Sequence, residues 1–558
     1  MKEDIQRVVQ ESVESLGRKV GIEDLPVEIE VGVPKRKEFG DFSVNTAMIL
    51  AKVMRKNPRQ VAELIIENLP AEKEDLFKKV EIAGAGFINF FVKEEAMVHK
   101  LEEIRKLDRR YGCSALGEGR KVLVEFVSAN PTGMLHMGHA RNAVVGDTIS
   151  SILSASGCEV TREFYINDAG RQMGLLGESV YARYRELEGE EAEIPEDGYK
   201  GEYVKEIAQE IKNEKGDLLI ERASRESLTE YLREYAEKKL LECIKQDLEG
   251  IGVRFDEWYS ERENIHGLNG ARKSKLEDVR ESLQAKGALE EKDGALWFMA
   301  TRYGDSQDWV LVKSDGSPTY FLADIAYHMD KYERGYGNII NVWGADHHGH
   351  VSRLKAALTA LGLEPSRFNV VLIQFVRLMR GGEEVSMSKR AGSYVTMRDV
   401  VNEVGADVMR FFLLMRSSES HLDFDLDLAK KESSENPVYY IQYAYARISS
   451  LFRKAEEEKL SDSVESINLL NKSEDIELVK KLLMYPEIVE ESARLYAPHK
   501  LAYYLQELAS EFHAYYNKFR IVDNDRELSK ARLYLVRCVQ TVLSNGLGLL
   551  GITAPERM

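Results

Sequence analysis

Cysteine is scarce in this chain, and what little there is does not pair. Cys113, Cys158, Cys243 and Cys538 are scattered over 558 residues, and none forms a C-x-x-C pair. That spacing speaks against a disulfide framework and a structural zinc site, and makes a reducing cytoplasm the expected location. Also missing are a basic, apolar leader and any apolar run long enough to span a bilayer, so no membrane partner is expected. Positive charge is in deficit: 77 Lys and Arg face 94 Asp and Glu, for a net charge of −17. A general nucleic-acid coating protein draws affinity from an overall basic surface and is excluded. A protein that docks RNA through a local patch is not, because local potential governs docking. Two basic clusters, Lys35-Arg36-Lys37 and the stretch from Arg377 through Arg398, read equally as RNA contacts or as solvated faces. There is no repeat of fixed period and no low-complexity tract. Hydrophobic residues make up 44% and charged residues 31%, which fits a globular chain with several cores. The length suggests about three or four domains.

The most informative stretch runs from Val122 to Asp147, VLVEFVSANPTGMLHMGHARNAVVGD. Val122 to Val127 reads as a buried parallel strand, Ser128 to Gly133 as a turn-rich loop. From Gly138 the apolar residues recur at helical spacing up to Gly157, a C-cap. A strand, a small-residue loop and a helix place a nucleotide phosphate at the helix N-terminus. His136 and His139 can donate to a phosphate whose charge changes during reaction, and Gly138 leaves room for a ligand against the backbone. Taken alone, such a pair is also an ordinary helix cap. The tetrapeptide resembles His-x-Gly-His, the first signature of class I aminoacyl-tRNA synthetases. With EFVSANPTG before it and HARN after it, the segment resembles one family in particular, arginyl-tRNA synthetase.

The rest of the chain is organised around that segment. Residues 1–115 read as a small α+β module, with a helical pattern at Asp41 to Lys52 and a hairpin at Val80 to Val92. EFGDF and GAGFINF resemble the N-terminal domain that bacterial-type members add to meet the tRNA elbow. That likeness implies tRNA contact by Phe87 and Asn89, although Phe87 also fits a core position. Residues 116–435 resemble the class I Rossmann-like catalytic domain. It carries a charged insertion at about 187–290 and a signature-loop region at about 377–435. Apolar strands at Ile339 to Trp343 and Val370 to Val376 mark the return of the fold after the insertion. Residues 436–558 are helical in pattern, with aromatics at helical spacing that read mainly as core. NPVYYIQYAYARI and the closing APERM resemble the family's α-helical anticodon-binding domain. The expected architecture is therefore a multidomain α/β protein with a small N-terminal α+β domain and an all-α C-terminal bundle.

Further candidates come from the same resemblance. V-S-M-S-K-R, followed by Ala391-Gly392, matches the core of the second signature, Lys-Met-Ser-Lys-Ser, at Met387, Ser388 and Lys389. Ser386 replaces its first lysine and Arg390 its last serine, so Arg390 or a lysine elsewhere has to supply the missing cation. Lys389 is a compact cation suited to departing pyrophosphate. A guanidinium substrate demands carboxylates. Asp324, with Tyr320 one helical turn before it, and Glu261 and Glu125 fit the family's acidic positions. Ser128, Asn130 and His139 fit the rest of the arginine site. In GADHHGH, the residues Asp346, His347, His348 and His350 read either as a metal cluster or as substrate contacts. The resemblance assigns Gly344 and Asp346 to ATP, and His347 to the arginine backbone. It implies ATP with Mg²⁺, no zinc, L-arginine and tRNA(Arg) as partners, and a cytoplasmic monomer. A cysteinyl enzyme would need zinc-binding cysteines that are missing here. An inert RNA-binding paralogue would be expected to have lost His136, His139 or Lys389.

Overall fold

Five parallel strands form the central sheet: β1 Lys121–Glu125, β2 Glu159–Ile166, β3 Glu257–Ser260, β4 Asn338–Gly344 and β5 Phe368–Ile373. Their spatial order is β5-β4-β1-β2-β3, so the chain reverses its winding between β1 and β4. Open sheets of this kind bind ligands at the carboxyl ends of the strands beside that switch. The computed structural model describes residues 1–20, 28–34, 36–215, 224–267, 274–385 and 395–558. No described helix is long and apolar enough to cross a membrane.

Alternation along β1 divides its contacts. Val122 and Val124 enter the large core that contains Ala140, Val144 and Ile152 of helix α1, Met137–Ala155. Leu123 enters a second core with Ile325 and Ala326 of helix α2, Tyr320–Glu333, and Leu354 and Leu358 of helix α3, His348–Leu361. Glu125 is in register with Asn341 of β4, which puts a carboxylate and an amide side by side at the switch. Helix α1 can pass close under the sheet because Gly146 has no side chain: a Cβ there would lie 2.3 Å from the Phe126 ring. Ser156 caps the helix, and Gly157 follows at φ 91°, the left-handed geometry that terminates helices.

Two sequence expectations need correction. Asp41 to Lys52 is not helical throughout: Phe42–Val44 is a strand paired with Phe87–Val92, and the helix starts only at Thr46. Three alternating residues with a partner strand at hand override the helical pattern of their neighbours. The run Val370 to Val376 is likewise broken. Gln374 leaves the sheet because its N–H donates to the Ser418 carbonyl and its own carbonyl accepts from Arg141. The N-terminal hairpin is present, Phe77–Ala83 against Phe87–Val92. Among its described residues, the basic stretch from Arg377 is matched by acids: Arg377 grips Asp423 through two bonds, Arg380 meets Glu403 and Arg398 meets Asp247.

Between β2 and β3, helices Arg171–Leu187, Glu202–Lys215 and Arg225–Gly250 share a core of their own. Past residue 436 the described chain is mainly helical, beginning with Pro437–Glu457 and ending with Arg526–Leu549. Tyr504, Phe512 and Tyr515 are core residues there, whereas Tyr443 and Tyr503 are exposed. Arg410 ties this bundle to the nucleotide-fold helix. Its guanidinium, buried, donates to the carbonyls of Leu550 and Ile251 at 2.8 Å each and to Asp147 of α1 at 2.6 Å. Breaking a buried pair by removing one partner typically costs about 3–5 kcal/mol.

Candidate active site

Where β1 ends, the backbone makes a tight, costly turn. Val127 and Ser128 have φ of 66° and 41°, and Ser128 N–H closes on the Phe126 carbonyl at 2.9 Å. A β-branched residue rarely holds such a φ, and strain of this kind, about 1–3 kcal/mol, persists only where the surroundings impose it. Asn142 of α1 imposes it here. Its Oδ1 accepts from Val127 N–H at 2.7 Å and its Nδ2 donates to the Val342 carbonyl at 2.8 Å. The turn aims the Ser128 hydroxyl at Glu125, to which it donates at 2.9 Å, while it accepts from Tyr165 N–H at 3.2 Å. Arg141, the neighbour of Asn142, donates to the carbonyls of Gln374, Ser417 and Ser420.

His136 and His139 form a reciprocal cap on α1. His136 Nδ1 accepts from Gly138 N–H at 3.1 Å, and His139 Nδ1 accepts from His136 N–H at 3.3 Å. The rings stack with centroids 3.8 Å apart. Since both Nδ1 atoms act as acceptors, the ring proton of each neutral imidazole lies on Nε2. Capping through Nδ1 thus leaves a proton on Nε2, so a cap and a donor role would use different nitrogens. Gly138 serves the cap as well, because a Cβ there would approach the His136 ring to 3.0 Å.

Glu125, Glu261 and Asp324 gather around Tyr165. Burial first, then the charges of Glu261, Asp324 and Glu125, hold the Tyr165 phenol far above its ordinary range. Glu261 opens the short helix Glu261–Asn264 and meets His266 Nε2 at 3.0 Å. Asp168 braces that helix start, accepting from Ser260 Oγ at 2.5 Å and from Arg262 N–H at 2.8 Å. Glu125 is buried and accepts from Lys331 Nζ at 2.6 Å. Asp324 keeps 37% of its side chain open to solvent. Burial pushes its carboxyl up to about 7; Arg353 pulls it down, and Glu261 and Glu125 push it further up. Tyr165, Asp168, Lys331 and Asn142 were not singled out by the sequence pattern.

Other candidates lie as follows. Tyr320 begins α2 and is exposed, its hydroxyl near Gly170. Asn130 donates to Gln172 at 2.6 Å. Gly344 ends β4, and Asp346 and His347 follow in a short helical turn, 3.7 Å from one another and largely open. His350 faces Asp324 and Arg353, and burial pushes it down to about 4. Among the described residues no three His, Cys, Asp or Glu side chains converge on a common metal position. In the N-terminal module Phe87 is 43% exposed, whereas Asn89 on the same strand is 3% exposed, paired between Ser43 and Glu81. Met387, Ser388, Lys389 and Arg390 lie outside the described residues.

A guanidinium entering this cluster requires an ionised Asp324. With its carboxyl near 7 in the free protein, binding L-arginine is expected to release a proton around neutral pH. Affinity should then fall with decreasing pH below 7, by up to roughly tenfold per pH unit for one linked proton, and level off above 7. Calorimetry in buffers of different ionisation enthalpy measures that proton directly; an arginine affinity flat from pH 6 to 8 would show that Asp324 is already ionised in the free protein.

Three family models match the chain in order: the arginyl tRNA synthetase N terminal domain over residues 2–92, the class I (R) tRNA synthetase catalytic domain over 100–418, and the DALR anticodon binding domain over 441–558. The arginine–tRNA ligase of Geobacter sp. (strain M21) is 50% identical over 534 residues, 95% of each chain. That of Carboxydothermus hydrogenoformans is 48% identical over 562 residues, 99% of each. The arginyl-tRNA synthetase structure from Thermus thermophilus, 24% identical, superposes with a TM-score of 0.74 over 99% of this chain and 100% of that one, a likeness of fold. With its motifs in order and its length covered, the chain belongs to the arginyl-tRNA synthetase family, the class I arginine–tRNA ligases.

Proposed function

We propose a division of labour among the residues of this chain for arginine–tRNA ligation, the reaction of its family: ATP-dependent formation of arginyl-adenylate, then transfer to the 3′-terminal ribose of tRNA(Arg) with release of AMP and pyrophosphate. Asp324, Glu261 and Tyr320 read the guanidinium. Glu125, Ser128, Asn130, His139 and His347 hold the amino-acid backbone. His136 and His139, through Nε2, stabilise the phosphate charge that develops at the N-terminus of α1. Gly138, Gly344 and Asp346 line the ATP position, and Met387, Ser388, Lys389 and Arg390 cover the pyrophosphate. No covalent enzyme intermediate is needed; positioning and electrostatics suffice.

The observation that carries this reading is the set of acids at the sheet's switch point: Glu125 ends β1, and Glu261 and Asp324 lie near enough to help raise the buried Tyr165 phenol, so a cationic side chain entering there finds carboxylate partners. Mg²⁺ enters with the ATP phosphates, which commonly supply much of its coordination. A cytoplasmic monomer completes the proposal, with residues 1–115 as the elbow-contacting module, 116–435 as the catalytic part and 436–558 as the anticodon-binding part. ATP–pyrophosphate exchange with arginine, with and without tRNA, tests it. Arginine-specific exchange is the expected result, and none under either condition would overturn it.

The ring of Phe87 is exposed, so a tRNA base could stack on it. Base–aromatic stacking is worth about 1–3 kcal/mol by alanine substitution. Phe87→Ala is therefore expected to raise the KM for tRNA while leaving that for arginine unchanged, whereas an unaltered tRNA KM would assign the ring to another role. Asn89, being covered, is expected to give the smaller effect in the same charging assay.

A further inference from the structure

Lys331 is fully buried, and an unpaired ammonium in such a place is among the costliest groups a protein can hold. It is not unpaired. Nζ donates to Glu125 Oε2 at 2.6 Å and to Asn341 Oδ1 at 3.0 Å, and lies 4.1 Å from the centre of the Tyr327 ring. Asn341 Nδ2 meets His328 Nε2 at 2.9 Å, and His328 Nδ1 meets the Asp324 carbonyl at 2.8 Å. The partners settle every proton in this chain. A carbonyl only accepts, so His328 Nδ1 carries the hydrogen and Nε2 accepts from Asn341, whose oxygen is left for Lys331. His328 is accordingly neutral; burial holds it well below its ordinary range. A continuous line of hydrogen bonds thus joins the side chain of Glu125 to the backbone of Asp324, through strands β1 and β4 and helix α2.

We infer that Lys331 is a positioning residue for arginine recognition: its buried side chain fixes the Glu125 carboxylate and places a cation beside it. The inference rests on the reading of Glu125, Glu261 and Asp324 as the arginine site. Glu125 has one oxygen on Lys331 and the other on Ser128, so its orientation is set before substrate arrives. Without the lysine, the three acids near Tyr165 would have one cation fewer among them, which favours protonation of one of them. A protonated member cannot pair with a guanidinium. The groups facing Asp324 are Arg353 and His350 from α3, Glu261 from its short helix, Glu125 from β1, Tyr165 from β2 and Lys331 from α2. Lys331 is among those favouring the charged form of Asp324, so its removal has a defined sign: arginine recognition should fail at a higher pH than in the wild type.

The test is steady-state aminoacylation of tRNA by the full chain, with arginine varied between pH 6 and 8.5, for Lys331→Met, Lys331→Gln and Lys331→Arg. The Gln variant keeps a donor and loses only the charge, so it gives the result should the Met variant fail to fold. In both neutral variants the arginine KM is expected to rise roughly ten- to a hundredfold. The KM for ATP should stay within about twofold, and the acid limb of kcat/KM for arginine should move to higher pH. Lys331→Arg should leave that limb where it was. An unmoved acid limb, or arginine and ATP KM values rising together, would show Lys331 to be structural only. Asp324→Asn is run alongside: if it too leaves the arginine KM unchanged, the pocket assignment itself has failed. If Asp324→Asn raises that KM while the Lys331 variants do not, only the inference falls.

Discussion

L-Citrulline is expected to be activated about 10⁴-fold less efficiently than L-arginine, or worse. The two substrates are close in size, so the difference is electrostatic. Citrulline presents a urea oxygen where arginine presents an N–H, and in this site that oxygen would be turned toward carboxylates. Glu261 keeps His266 as a partner and Glu125 keeps Lys331, but Asp324 would gain nothing in return for its lost water. Sites built to hydrogen-bond a substrate reject an analogue that leaves their buried polar groups unpaired, which is how large ratios arise without a separate editing step. The position of the Asp324 carboxyl, near 7, adds a condition: below that pH a protonated Asp324 could donate to the urea oxygen, so discrimination should narrow as pH falls. Pyrophosphate exchange with both amino acids, tRNA present, gives the ratio. Comparable efficiencies at pH 8 would sink the pocket as described.

The second large effect concerns the histidine cap. Replacing His136 with alanine would remove a phosphate donor and a helix cap at once, and a lost cap alone costs about 0.5–2 kcal/mol of stability. His136→Asn separates the two. The amide oxygen can still accept from Gly138 N–H, as Nδ1 does now, while the Nε2 donor is gone. Losing one donor of this kind typically lowers turnover about 10²–10³-fold. Single-turnover adenylate formation should fall by that factor with thermal stability nearly unchanged. Near-wild-type adenylation in the Asn variant would leave His136 with the cap as its only role. Lys389→Ala, from the second signature, is expected to lose adenylation to a similar degree with tRNA binding retained.

The parts of this molecule that could be read from the residues are those with local causes. The strand at Val122, the helix ending near Gly157 and the glycine-turned hairpin each follow from a few neighbouring residues and a short-range rule. Asp324, Glu261 and Glu125 could be picked out only because the resemblance marked their positions; composition would have left each as a surface charge. Lys331 could not be found that way. It stands in DKYERG, a charged end of a helix that looks solvated, and its burial follows from strands about two hundred residues earlier and ten residues later. Asp168 and Tyr165 were hidden for the same reason, since their partners Ser260, Arg262 and Glu261 lie across the helical insertion. Phe42–Val44 is the local version of this problem: a strand of three residues carries too little pattern to outweigh a helical neighbourhood.

Arg410 bears on whether this protein can be taken apart. Its guanidinium joins the helix of the first signature, the end of the insertion and the last helical turn of the chain. Asn545, near that same end, donates to the carbonyls of Asp108 and Tyr111 just before the central sheet begins. A fragment that stopped at residue 435 would therefore keep every motif of the nucleotide fold and still take from Arg410 the Leu550 carbonyl it donates to. Three sequence regions can be matched separately to three families of domain, but the chain is poor material for dissection: the boundaries that comparison draws are not lines along which the molecule would come apart intact.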